Sequence, residues 1–474
     1  MSRYKYFQWR KSMLYMKEKL CRRTVLKLGA AGLAAAGLTL AGCNGGAGSS
    51  KTADTVTIVT WGSDKRLRQS FQAVSSAFPN DFQHFKLNIV VAGGGDPDVT
   101  RSLRLALAAH KNIPDIVRLN YNEIAEFAQA GVLHDLKDVI EPIKDDLYIG
   151  AQKLAMYQGK YVAIPEQVKS KMFYYRADLF EQLHITPGDL NTIDGLIASA
   201  QKLHERFPKT YLFNMGQQPS GTWLSEIISA YPNISMAEPS GNYVVTSAPA
   251  FSSAFSFIKR LHDSGTTLQV DDFSTDWGPA FKNGRIAGAL NANWLKLFLP
   301  EYATVDQAGK WKAALWPDLL PLVDQSYGSE AGGSVFVIPE EAPNKEQAIL
   351  FLRRLILDKK GALAQFKANS LTPLLRSAQP DLLTYVHNAS KPSDVSDEQW
   401  ALQPHNFFGK DFYTQELASY DRVRIFNYDP SALKEFAILN QWLNQFVQGK
   451  ADLKASLAGA QHDMETQIGN PYKS

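Results

Sequence analysis

Carboxylates are the first residues to weigh, because two of them facing each other across a cleft can hydrolyse a glycosidic bond. The chain has 47 Asp and Glu residues, yet none falls in a recognisable catalytic motif. G-x-S-x-G, H-E-x-x-H and a Walker loop are also missing from the sequence. Gly93–Asp98 reads GGGDPD, a turn whose glycine spacing does not suit a dinucleotide. Asp96 and Asp98 lack the further ligands of a calcium loop. Cys21 and Cys43 are the chain's 2 cysteines, and both precede the body. That leaves the body no disulfide framework, no thiolate zinc site and no cysteine nucleophile. The reading is therefore a binding protein with no catalytic residue, no metal and no cofactor, and a hydrolase is the weaker alternative.

The stretch that must position a binding site is Gly159–Pro187. Tyr161–Ile164 is a short apolar run halted at Pro165, which lacks an N–H and disfavours helix before it. Polar residues follow, then the aromatic block Met172–Tyr175 and a helix over Ala177–His184. This reads as a strand leaving one lobe, crossing open ground and entering a second lobe. A plain strand–loop–strand within one domain is the alternative. Glu166, Gln167 and Lys169 lie in the crossing and alternate sides, so only some can face a ligand. Upstream, strands at Val56–Thr60, Leu87–Val91 and Ile113–Leu119 alternate with helices at Arg66–Phe78, Val99–Ala109 and Glu123–Ala130. That order predicts an α/β lobe with a largely parallel sheet. Ligands gather outside the carboxyl ends of such strands, which is where Trp61, Ser63 and Asp64 and the run Asn120-Tyr121-Asn122 fall. A helix cap is the alternative role for that run and suits Asn122 best. Downstream, helices are expected at Ile193–Phe207, Phe251–His262, Lys345–Leu357, Ser431–Val447 and Asp452–Gln467, with strands at Thr210–Asn214 and Val335–Ile338.

A chain of 474 residues exceeds one ordinary core, so two or more domains are expected. The formal net charge of +3 owes much to the basic residues before Lys27. The body is near neutral and gives no electrostatic case for nucleic acid. Residues 1–43 read as a processing signal: a basic region ending in Arg22-Arg23, the apolar run Leu28–Leu40, then Leu40-Ala41-Gly42-Cys43. RRTVLK resembles a twin-arginine export signal and LAGC resembles a bacterial lipobox, in which Cys43 would take a diacylglycerol and become the mature N-terminus. Residues 44–54 are a Gly/Ser-rich tether. A lipid anchor followed by a tether implies a body held at the extracytoplasmic face of the membrane.

Several blocks in order resemble the carbohydrate-type extracellular solute-binding proteins of bacterial ABC importers, the group that includes maltodextrin-binding protein. They are Ile113–Asp115 with Ala130–Leu133; Tyr161–Pro165 with Phe173–Phe180; Phe281–Ala287 through Trp294; Gly332–Ile338 with Asn344-Lys345-Glu346; Leu371–Arg376; and Phe446–Gln467. Departures are Arg176 for the family's asparagine, a missing methionine, and Asn293 before the motif tryptophan.

The resemblance implies a two-lobed periplasmic-binding-protein-like (type II) fold with a hinge and an interlobe cleft. Residues 55–163 plus 327–369 would form one lobe and 164–326 plus 370–474 the other. It implies a small-molecule ligand, most naturally a carbohydrate, and a permease as partner, with the protein monomeric. In that frame Trp61, Ser63, Asp64, Asn120, Tyr121, Glu166 and Gln167 line the cleft. Trp223 lies in a loop, with Gln218 and Pro219, that matches the family's stacking loop. Trp294 matches the motif tryptophan, with Asn293 beside it. Gly332 and Gly333 would let backbone approach the ligand, or only ease a lobe crossing, and Arg376 would clamp it. A phosphorylated polyol, a polyamine or a peptide is the alternative ligand. Labelling with radioactive palmitate should mark the wild-type protein and not the Cys43→Ser variant; equal labelling of both would remove the anchor.

Overall fold

In the computed structural model, the described residues are 54–216, 221–231, 233–315 and 333–473. Cys43, Gln218, Pro219, Gly332 and the expected lobe boundary at 326/327 lie outside them.

The first lobe is built on β1 (Asp54–Trp61), α1 (Lys65–Ala77), β2 (Phe85–Gly93), α2 (Asp96–Ala109), β3 (Ile116–Asn120) and α3 (Tyr121–Gln129). The crossing region supplies β4 (Ile164–Gln167) and then β5 (Lys171–Arg176). The second lobe continues with α4 (Ile193–Arg206), α5 (Pro249–Asp263), β6 (Gly288–Ala292), α6 (Leu295–Tyr302) and β7 (Trp311–Leu315). The chain then returns as β8 (Ser334–Val337), α7 (Lys345–Leu352) and α8 (Lys359–Asn369), and ends with α9 (Phe412–Tyr420), α10 (Ala432–Val447) and α11 (Leu453–Gln467).

The first sheet has the order β2-β1-β3-β8-β4. β1 pairs in parallel with β2 and β3, whereas β8 is antiparallel to both β3 and β4. Val56, Ile58, Ile116, Val117, Val335 and Val337 are all fully buried, as expected of strands covered on both faces. Helix α8 lies tight on α1: Gln365 and Asn369 both donate to Ser70 Oγ, at 3.0 and 2.7 Å. A Cβ on Gly361 would strike the Arg354 carbonyl oxygen at 1.7 Å, so that approach requires glycine.

The second sheet, β6-β5-β7, is antiparallel throughout. The parallel pairing expected from strand–helix alternation thus holds for only one side of the first sheet. Strand β5 carries both cores, because side chains alternate across a strand. Met172 and Tyr174 join the cluster that contains the first sheet, and Phe173 joins the cluster of α4, α5 and α10. The crossing also falls later than expected. Ile164–Gln167 pairs with β8 in the first sheet instead of opening the second lobe, so the chain passes over at Val168–Ser170.

One buried pair of acids stands where α10 begins. Glu435 and Asp429 are almost without exposure, next to Tyr243 and Tyr472. Burial, reinforced by the neighbouring Asp429 charge, pushes the Glu435 carboxyl up to about 9. The folded protein therefore keeps a proton that the unfolded chain releases above about pH 4.3. Stability from this group is full below that pH, falls as pH rises, and is lost once pH passes the folded value. Glu435→Gln should flatten the decline in urea midpoint between pH 5 and pH 9; parallel curves for the two proteins would contradict this.

Candidate functional site

At the first lobe's edge, β1 ends in Trp61 and Gly62 turns the chain with φ 74°, which suits a residue without Cβ. Arg118 of β3 lays its guanidinium over the Trp61 ring, 4.3 Å from the centroid. Its Nε and Nη2 reach Glu166 Oε2 at 2.7 and 2.6 Å. Trp61 and Glu166 are thus brought together by a residue that the sequence reading did not single out. The available signal was a charged side chain alternating with Val117 and Leu119 in an otherwise apolar strand.

One row crosses the end of this sheet, since Ser334 sits opposite Asn120 on one side and Gln167 on the other. Lys169 donates to Asn120 Oδ1 at 2.6 Å. Gln167 Nε2 and Ser334 Oγ are buried with no hydrogen-bond partner among the described residues. Asn120 is also the N-cap of α3, its backbone N–H donating to Glu123 Oε2 at 2.9 Å; the cap expected at Asn122 falls here instead. Tyr121 donates to the Met156 carbonyl at 3.2 Å and meets Tyr428 edge-on at 5.9 Å. Asp64 is engaged within its own helix by Arg68 at 2.6 Å, and Ser63 Oγ accepts the Lys65 N–H at 3.2 Å. These two stand apart from the row.

The second lobe contributes a small recess, with room for about one water molecule, lined by Phe213, Asn214, Trp223, Asp272, Leu290 and Asn291. Asn214 donates to Asp272 Oδ1 at 2.7 Å and Asn291 donates to Asp272 Oδ2 at 3.0 Å. Asn214 is itself oriented by Trp277 Nε1, which donates to its Oδ1 at 3.2 Å. Burial raises the Asp272 carboxyl, while the Asn214 amide and the Lys171 charge pull it back. Trp223 stands edge-on to Phe213 at 6.1 Å. Only Trp223 of this group was anticipated, and it stands in the helix Gly221–Ser229, not in the expected loop; Asn214, Asp272 and Asn291 come from three separate segments and meet only in the fold.

Trp294 stacks on Phe273 at 5.1 Å and 26° and meets Phe298 edge-on at 5.6 Å. Arg66 of the first lobe lies 5.3 Å from the Phe298 ring centroid and donates to the Leu297 carbonyl at 3.2 Å and to Glu301 at 3.1 Å. The start of α1, just after the Trp61 turn, therefore touches α6, the helix that follows Trp294, across the two lobes.

Three expected ligand residues are engaged by neighbours. Asn293 is fully buried. Its Nδ2 lies 3.0 Å from the Val168 carbonyl, 2.8 Å from Glu416 Oε1 and 2.9 Å from Tyr420 Oη. Its backbone N–H donates to the Ser170 carbonyl at 2.9 Å. It holds the crossing segment, because an amide in an apolar run can satisfy buried backbone as readily as a ligand. Gly333 makes room for packing: a Cβ there would lie 2.3 Å from Leu154 Cδ1, and its carbonyl accepts the Tyr121 N–H at 2.8 Å. Arg376 is paired with Asp421 at 2.5 Å and lies over the Tyr148 ring at 4.6 Å.

Residues 73–391 match the family described as bacterial extracellular solute-binding protein. The chain belongs to that family. A curated relative, an uncharacterised ABC transporter extracellular-binding protein of Pyrococcus horikoshii, is 25% identical over 197 residues, 39% of this chain. The match spans 44% of that relative's length. Among solved structures, the chain is similar to the ABC transporter associated binding protein of B. animalis subsp. lactis in complex with β-1,6-galactobiose. The TM-score is 0.69 at 19% identity, covering 88% of this chain and 98% of that one. The galacto-N-biose-/lacto-N-biose I-binding protein of Bifidobacterium longum gives 0.68 at 17% identity, covering 89% and 99%. Maltose-bound MalE3 of T. maritima gives 0.66 at 16% identity, covering 88% and 100%. At these identities the likeness establishes the fold: the family member described here is an α/β protein of the two-lobed periplasmic-binding type.

Asn293→Ala removes an amide from a fully buried network. It should lower unfolding free energy by about 1–3 kcal/mol in urea titrations, the cost of leaving buried partners unsatisfied. An unchanged midpoint would return Asn293 to the list of ligand residues.

Proposed function

We propose that this protein captures a sugar or oligosaccharide between its two lobes and delivers it to an ABC transporter permease. It acts as a monomer on the extracytoplasmic face, held there by a lipid on Cys43. Ligand contacting both lobes would favour the closed form by its differential affinity, and closure is the signal that a permease can read.

The observation that carries the reading is the cluster of mutually oriented polar groups beside Trp223 and Phe213 in the second lobe. A sugar offers hydroxyls around a partly apolar ring, and needs an aromatic wall beside fixed hydrogen-bonding groups. Trp223 and Phe213 supply the wall, and Asn214, Asp272 and Asn291 supply groups already oriented by one another. Across the lobes, Asn120, Gln167 and Ser334 offer a second polar row. The names of the similar structures agree, since those proteins hold galactobiose, lacto-N-biose and maltose.

The fixed charges favour a neutral guest over the alternatives. Arg118 is matched by Glu166, so it offers little to a phosphate. Asp272 already accepts from an amide on each oxygen, so it attracts a polyamine weakly. Nothing in the reading calls for chemistry on the ligand; the guest is returned intact.

Calorimetry against mono- and oligosaccharides tests this reading. At least one sugar should bind. Trp223→Ala and Asp272→Asn should each weaken that sugar by roughly tenfold or more, a loss of about 1.4 kcal/mol, with melting temperature little changed. Silence across the sugars together with binding of a charged metabolite would overturn the assignment.

A further inference from the structure

Helix α3 does more than present Asn120, because both of its ends reach the second lobe, where it packs against α10. At its start, Tyr121 meets Tyr428 edge-on at 5.9 Å. At its end, Gln129 Nε2 donates to the Tyr472 carbonyl at 3.2 Å. Gln129 Oε1 accepts the Tyr157 hydroxyl at 3.4 Å, from the first-lobe hairpin 156–161. The segment that receives Gln129 follows α11 and is itself seated on the second lobe. Asn470 donates to the Ser240 carbonyl at 3.0 Å, and the Tyr472 hydroxyl donates to the Ala237 carbonyl at 3.5 Å. Gly241, at φ 91°, makes room for it, since a Cβ there would lie 2.1 Å from Asn470 Nδ2.

The buried acids Asp429 and Glu435 adjoin this seam, the first directly after Tyr428 and the second in the first turn of α10. Three phenols face them, Tyr243 and Tyr472 from the second lobe and Tyr157 from the first. The Ser431 N–H donates to Asp429 Oδ1 at 2.8 Å. Charged groups on the adjoining elements are turned elsewhere: Lys434 to the Gln467 carbonyl at 2.6 Å, Glu126 of α3 to Arg104, and Asp463 of α11 to Trp442. Burial raises both carboxyls, so the pair keeps a proton at neutral pH. A second negative charge there needs water. Parting the lobes takes Tyr157 away from Asp429 and admits it.

We propose that this seam is a proton-held latch between the lobes: while the Asp429–Glu435 pair carries a single charge, α3 stays against the Tyr428 and Tyr472 segments, and a second charge parts them. The sign follows from linkage. Water weakens the pair's hold on its proton, so the latched form binds that proton more tightly. It loses ground as pH rises toward the folded value of Glu435, about 9. The latch presupposes no particular guest, so its fate is separate from that of the sugar reading.

The test is a dipolar spin-label distance measurement on the full-length chain without ligand. Cys21→Ser and Cys43→Ser remove the native thiols, and Lys160→Cys and Gln467→Cys carry the labels at exposed positions, one on each lobe. At pH 7 the distances should fall into a short, latched class and a longer one. Gln129→Ala removes a cross-lobe bond and leaves both cores alone. It should lower the short-to-long ratio about threefold, the worth of one neutral hydrogen bond. Raising the pH from 7 to 9.5 should lower the ratio at least as much, and Glu435→Gln should abolish that pH response. Gln129 is half-buried at a helix end, so its arm decides the matter even if Glu435→Gln fails to fold. Any of four results overturns the proposal: a single distance class at pH 7, an unchanged ratio in Gln129→Ala, a ratio indifferent to pH, or an equal pH response in Glu435→Gln.

Discussion

A lysine–glutamate pair with no solvent exposure on either side chain holds the point where the two lobes meet. Lys296 Nζ lies 2.5 and 2.7 Å from the Glu416 oxygens and 2.5 Å from Thr372 Oγ1. Charges buried this deeply are tolerated only when fully matched. Burial drives the Lys296 ammonium toward its neutral form and Glu416 counters it. The surrounding bonds tie down two chain crossings at once. Thr372 belongs to the segment after α8, and Asn293 with Ser419 pins Val168 and Ser170 between β4 and β5. Strand β5 beside them carries a hydrophobic core on each face.

From this constraint follows the character of the cleft surfaces. Residues on either side of the crossing are pre-oriented by neighbours, not free to reorganise: Arg118 between Trp61 and Glu166, Lys169 against Asn120, Asp272 between Asn214 and Asn291. Pre-orientation lowers the entropic cost of ordering groups around a guest. Mutually matched charges also leave hydrogen bonding and ring stacking as the available currency of recognition, which suits a neutral polyhydroxylated ligand.

Much of the fold was legible because local pattern dominates there. The β-branched run ending at Trp61 and the spacing Leu67, Phe71, Val74 place a strand and a helix without tertiary help. Asp452 before α11 could be read as a cap, and it does accept the Ala455 N–H at 2.7 Å. The strand at Ile164–Gln167 was legible as a strand but not as to which sheet it joins, since that depends on β8, far along the chain. The site was less legible for the same reason. Asp272, Asn214 and Asn291 lie in unrelated segments, and no spacing rule links them. Asn293 and Arg376 had the right chemistry for a ligand, but chemistry alone does not say whether a side chain serves a guest or the buried framework. Trp61, Glu166 and Gln167 were singled out because strand ends have positional meaning in such sheets, whereas the loop expected around Trp223 is the helix Gly221–Ser229.

Whether the lobes close on a sugar is the point on which everything else turns. Small-angle scattering of the Cys43→Ser chain, with and without the sugar that binds best in calorimetry, measures it directly. A smaller radius of gyration in the bound sample is the predicted result. Saturating sugar with no contraction would contradict a clasp between two hinged halves.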